Sequence, residues 1–124
     1  MPLYTVITQE HALSGEIKHK MADEITRIHV AVMKVPRNFV RVVFLHYPEG
    51  SGFAAGVEAP IAAVNCVLRS GHSTAEKSDM LLQLWSMFQK LTGIATDQLA
   101  ISLQEIPSSN AMEMGQIMPA VGQG

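Results

Sequence analysis

With 124 residues, 48% of them hydrophobic and 16% charged, the sequence has the size and composition of one domain with a substantial core. A net charge of −2 offers no basic stripe and argues against nucleic acid as a partner, while a mean hydropathy of +0.18, high for a small monomer, points to apolar surface buried between subunits. The one cysteine, Cys66, excludes an internal disulfide and fits a reducing compartment; with no basic stretch at the start and no apolar run of membrane-spanning length, the reading is a soluble cytoplasmic protein with no membrane partner.

The chain opens MPLYTVITQE, with a proline directly behind the initiator methionine. If Met1 is removed, Pro2 carries a free secondary amine, which can serve as base, acid or nucleophile near neutral pH. PLYTVITQ (2–9) is rich in β-branched and aromatic residues and reads as a strand. A helix follows, with Ser14 as N-cap and Ile17, Met21, Ile25, Ile28 and Val32 forming one apolar stripe. It should stop before Val35-Pro36, because the residue preceding a proline avoids helical geometry. VRVVFLHY (40–47) is the next strand, and the Gly-rich stretch PEGSGFAAGVEAP (48–60) reads as a linker.

The second half repeats the plan. IAAVNCVLRS (61–70) reads as a strand, and Ser73-Thr74-Ala75-Glu76 is a capping box. The helix it opens carries Met80, Leu84, Met87, Phe88 and Leu91 on one side and ends at Gly93. LAISLQEI (99–106) closes as a strand, leaving 108–124 as a C-terminal segment. Sliding the chain by 59 residues aligns 2–48 with 61–107 without a gap. The pattern predicts an α+β fold made of a tandem β-α-β repeat, with two helices on one face of a four-stranded mixed sheet. Several strands are apolar on both faces, so the face without helices should be buried against other subunits, as in a homotrimer.

Individual residues carry competing readings. Arg69 ends an apolar strand, where a cation ordinarily just marks the exit to solvent, yet its planar fork suits a carboxylate. His29, at the edge of the buried helix stripe, reads by itself as a half-buried structural histidine. His72 precedes the second helix cap, and Glu113 is a charge in the C-terminal segment. The histidines show no metal-ligand spacing, so no metal is predicted. Cys66 reads as core, and Met112, Met114 and Met118 as packing between subunits.

A short β-α-β-β-α-β chain with proline as residue two resembles the tautomerase superfamily, in particular its cis-3-chloroacrylic acid dehalogenase-like branch, grouped with the oxalocrotonate tautomerases. The resemblance runs through MPLYTV, VPRNFVRVVF, LRSGHS and EIPSSNAMEMGQIMP. It implies that Pro2 is the catalytic amino-terminal proline, that His29 contacts the substrate carboxylate or carbonyl, and that Arg69 grips the carboxylate. Glu113 matches the acid that activates water in the dehalogenase. Two positions depart from that enzyme: His72 stands where it has a second arginine, and Ser102 where a tyrosine helps to hold water. Both departures point toward simple proton transfer. The implied activity is a cofactor-independent, homotrimeric tautomerase of a small 2-oxo acid; the alternatives are a haloacrylate dehalogenase or acetylene-carboxylate hydratase, and a non-catalytic binding protein of the same fold.

Overall fold

The computed structural model describes residues 1–122. Strand β1 (Leu3–Gln9) leads into helix α1 (Gly15–Met33), then β2 (Arg41–Tyr47) and a small hairpin of β3 (Phe53–Ala54) and β4 (Val57–Glu58). The second half supplies β5 (Ala62–Arg69), α2 (Thr74–Thr92), β6 (Leu99–Ile106) and a second hairpin of β7 (Met112–Glu113) and β8 (Gln116–Ile117). The four long strands form one sheet in the order β2-β1-β5-β6. β1 runs parallel to β2, β5 parallel to β6, and the two central strands are antiparallel. This is the mixed sheet that the repeat pattern predicts.

The helices begin and end where their local chemistry requires. Ser14 Oγ accepts the Ile17 N–H at 3.1 Å, satisfying one of the unpaired donors of the first turn. At α2, Ser73 Oγ accepts from the Glu76 N–H at 3.1 Å and Glu76 returns the favour to the Ser73 N–H at 2.9 Å. Both helices close on a left-handed residue, Gly93 at φ 68° and Lys34 at φ 58°. Their apolar faces cover one side of the sheet. Met21, Ile25, Ile28, Met80, Leu84 and Phe88 pack with Tyr4, Val6, Val64, Cys66 and Leu68 in a single core, each fully buried large side chain contributing about 1.5–3 kcal/mol. The opposite sheet face exposes Leu3, Ile7, Val43 and Leu45.

The ungapped 59-residue alignment holds from Ser14 onward but fails in the first strands. Leu3 pairs with Arg41, whereas Ala62 pairs with Leu99, so β1 and β5 sit one residue out of step relative to their partners. A slip of one residue exchanges the two faces of a strand. The burial pattern obeys the slipped register: Tyr4, Val6 and Thr8 are buried, matching Val64, Cys66 and Leu68. The extra residue is taken up in the connection 10–14, which is one longer than 70–73. The repeat also extends beyond the two β-α-β units. The hairpin turns carry left-handed Ala55-Gly56 and Met114-Gly115 at equivalent positions, and the stretch read as a linker contains the first of these hairpins.

Gly52 and Ala111 occupy equivalent places before the two hairpins. A methyl at Gly52 would lie 2.7 Å from the Tyr47 ring and the Ala59 carbonyl; at the position of Tyr47 the second repeat has Ile106. Gly52→Ala is therefore expected to destabilise the fold by about 1–3 kcal/mol through overpacking, read as a lower urea midpoint with unchanged slope.

Candidate active site

The site grows from the position of β1 inside the sheet. Side chains alternate across a strand, so Pro2 follows Tyr4 onto the helix side, while Met1 follows Leu3 onto the uncovered side. Pro2 is fully buried, and its carbonyl accepts the Arg41 N–H at 3.1 Å. Arg41 opens β2 opposite Leu3, and Arg69 ends β5 two residues beyond Val67, the antiparallel partner of Leu3. The amino terminus is thus flanked by one guanidinium from each neighbouring strand. The Glu113 carboxylate of β7 completes the group by pairing with the Met1 amino group, and its second oxygen, Oε2, is buried without a partner among the described residues.

These neighbours act on the amine in opposite senses. Burial first, then Arg41 and Arg69, lower the Met1 amino group from the ordinary 8.0 to about 6, because each disfavours the ammonium form. Cys66 acts in the opposite sense, and a paired carboxylate such as that of Glu113 favours the ammonium form. Arg69 also donates from Nη1 to the Pro119 carbonyl at 2.5 Å, which anchors one branch of its fork and leaves the other N–H groups for a ligand.

On the helix side, His29 is 1% exposed. Burial, His72 and the amino terminus, in that order, push it down to about 3, so it is a neutral imidazole at physiological pH. The Tyr4 hydroxyl lies 2.7 Å from His29 Nδ1. Cys66 is buried beside Tyr4, and its thiol is pushed up to about 12, chiefly by burial; it is an inert core residue. His72 lies half-buried between β5 and α2, where burial lowers it while Glu76 and Glu105 raise it.

Of the residues singled out in the sequence, Pro2, His29, Arg69 and Glu113 therefore gather around the amino terminus, with His72 near His29 and Arg69. Ser102 does not join them within one protomer. Its hydroxyl donates to Asn65 Oδ1 at 2.9 Å on the uncovered face, and Asn65 pairs with Thr5, well along the sheet from Met1. Sequence reasoning missed Arg41 and Tyr4. Arg41 had a legible signal, a lone cation sharing a strand face with Val43, Leu45 and Tyr47. Tyr4 had none, since a strand tyrosine reads as core. Among the described residues no group of three or more His, Cys, Asp or Glu side chains could hold a metal ion.

Comparison with known proteins places this arrangement. A family model described as "Putative oxalocrotonate tautomerase enzyme" matches residues 1–123. The crystal structure of N1, a member of the cis-3-chloroacrylic acid dehalogenase family, is 28% identical, covers 98% of this chain and 86% of its own, and superposes with a TM-score of 0.93. Native Ps01740 is 30% identical over 90% of this chain and 99% of its own, with a TM-score of 0.88. A fused 4-OT described as a symmetric trimer shares the fold at 22% identity, covering 98% of this chain and 99% of its own, with a TM-score of 0.86. A match to the genome polyprotein of Human rhinovirus A serotype 89 (strain 41467-Gallo), 27% identical over 84 residues, takes in 68% of this chain but only 4% of that polyprotein's length. Family match, fold and site lead to one conclusion: the chain belongs to the tautomerase superfamily, within its cis-3-chloroacrylic acid dehalogenase-like branch.

Proposed function

We propose that the protein is an enol–keto tautomerase of a small 2-oxo acid, with Pro2, freed by removal of Met1, as general base and acid. The observation that supports this best is the convergence on the amino terminus of two guanidinium groups, a neutral imidazole and a carboxylate. Removal of Met1 draws the terminus inward by one residue, about 3.8 Å, onto the buried Pro2. The Pro2 amine takes the hydroxyl proton of the enol and returns it to carbon. Arg69 holds the carboxylate through its free N–H groups, and Arg41 adds a second positive charge across the amine. His29, uncharged, contacts the oxygen at C2. His72 supplies a weaker, pH-dependent charge beside Arg69.

One feature favours a second reading. The unpartnered, buried Oε2 of Glu113 can accept a proton from water, as a haloacrylate dehalogenase or acetylene-carboxylate hydratase would require, and N1 belongs to a dehalogenase family. The test is to assay Met1-free protein against phenylenolpyruvate, 2-hydroxymuconate and cis-3-chloroacrylate, beside a form that retains Met1. Enol turnover well above chloride release is expected, and retention of Met1 should abolish it, since an acylated Pro2 nitrogen is no base. Equal enol turnover with Met1 retained would remove Pro2 from the mechanism, and chloride release matching enol turnover would favour the second reading.

The pH dependence follows from the surroundings of the amine. A general base works in its neutral form, so kcat/KM should rise with pH and level off above the amine's pKa. Burial and the two guanidiniums lower the Met1 amino group, and in Met1-free protein the same guanidiniums flank the Pro2 amine one residue inward; Arg41→Ala removes one cation, relieves the ammonium, and should move the rising limb to higher pH. Glu113→Gln removes the opposing anion and should move it to lower pH. A limb unmoved by Arg41→Ala would show that this guanidinium does not act on the amine.

The exposed aliphatic face of the sheet, with Leu3, Ile7, Val43 and Leu45, supports assembly as a homotrimer, the state of the fused 4-OT relative. Sedimentation equilibrium should return three times the chain mass of 13.5 kDa; a monomer at micromolar concentration would contradict it.

A further inference from the structure

The Tyr4–His29 contact joins two of the most deeply buried polar groups in the molecule. Tyr4 is 0% and His29 1% exposed, with Oη and Nδ1 2.7 Å apart and the rings edge-to-face at 89°. One of the two atoms must donate. A phenol can give or accept, and an imidazole nitrogen does only one of these in a given tautomer. If Nδ1 donated, the phenolic hydrogen would have only the Cys66 sulfur for a partner, a weak acceptor. With the phenol donating to Nδ1, the strong donor meets the strong acceptor, and the Cys66 S–H can still serve the phenol oxygen. Nδ1 is then occupied, and Nε2 is the one ring nitrogen left for a ligand. It makes no hydrogen bond among the described residues.

We propose that Tyr4 is a positioning residue: its buried phenol fixes His29 as the Nε2–H tautomer, leaving a neutral donor for the oxygen at C2 of the substrate. This rests on the tautomerase reading and deepens it. Charge and hydrogen bonding are thereby divided: the guanidiniums hold the carboxylate, and an uncharged imidazole stabilises the oxygen as electron density shifts onto it. A tautomer held in advance costs no reorganisation when the bond is made. The opposite tautomer would present a lone pair, which repels the enolate and keto oxygen formed once the hydroxyl proton has left.

The test is nitrogen-15 NMR of the histidine rings in Met1-free protein, with His29 assigned by its loss in His29→Gln. The wild type should show Nε2 protonated and Nδ1 as acceptor. Tyr4→Phe keeps the ring packing but removes the donor, and should yield a mixture of tautomers with kcat on phenylenolpyruvate about ten-fold lower and KM little changed. In a His29→Gln background the same substitution should have no further effect on kcat. Nδ1 protonated in the wild type overturns the proposal, a result that needs no variant to fold. A single Nε2–H tautomer with undiminished kcat in Tyr4→Phe overturns it as well. If no enol is turned over yet the wild-type tautomer is Nε2–H and is lost in Tyr4→Phe, the tautomerase reading fails while the positioning role stands.

Discussion

Everything at this site depends on β1 being an inner strand. A chain terminus on a sheet edge would face water on one side, and no second strand could bring a side chain to it. Here β2 runs alongside in parallel and β5 antiparallel, so the start of one neighbour and the end of the other lie level with the amino terminus. Arg41 is the first residue of β2 and Arg69 the last of β5. Two cations distant in sequence are thereby set on either side of one amine by backbone pairing alone. Strand pairing is among the stiffest relations in a fold, because a slip of one residue would turn both guanidiniums to the wrong face.

The same alternation separates two environments. Toward the uncovered face lie Met1, Arg41 and Arg69, with Glu113 closing over the amine. Toward the helices lie Pro2, Tyr4, His29 and Cys66, all buried. Charge is tolerated on the first side because ions there pair with each other or reach solvent, whereas an unpaired ion among the helices would carry a heavy desolvation cost. His29 accordingly stays neutral, and Tyr4 and Cys66 stay protonated, since burial opposes the charged form of all three. An amine at the boundary between these environments can change protonation state with little reorganisation on either side.

The helix starts, the Gly93 stop and the apolar stripes were legible in the sequence, but the left-handed Lys34 that closes α1 was not. Ser14, the capping box at Ser73–Glu76 and Gly93 depend on contacts within one turn, and the apolar stripes reported the covered face correctly. Strand register was not, because it depends on which residues meet across the sheet, and the ungapped repeat alignment concealed the slip between β1 and β5. Pro2, His29 and Arg69 came from resemblance rather than from pattern; alone, each has an ordinary structural explanation. Arg41 escaped notice because a cation at a strand start looks like a solvated end until the neighbouring strand is known to begin with the chain terminus. Tyr4 was hidden more deeply, since its partner His29 lies on another element.

The duplication shows why the β1–α1–β2 unit, and not its copy, surrounds the amine. In the slipped register Pro2 corresponds to Ala62 and Tyr4 to Val64; on the helices and the following strands His29 corresponds to Phe88 and Arg41 to Ala100. Tyr4, His29 and Arg41 thus each have an apolar counterpart in the second repeat. Ala62 is joined to Ile61 by a peptide bond, so no free amine can exist there, and a histidine in place of Phe88 would be a buried polar group with no amine beside it. Phe88, 1% exposed, fills the corresponding space as core. A chain has one amino terminus, and that fact alone breaks the symmetry of the repeat. The β1–α1–β2 unit places Tyr4, His29 and Arg41 about the amine, while the second half lends Arg69 and Glu113 to that same site and packs Val64 and Phe88 at the positions equivalent to Tyr4 and His29.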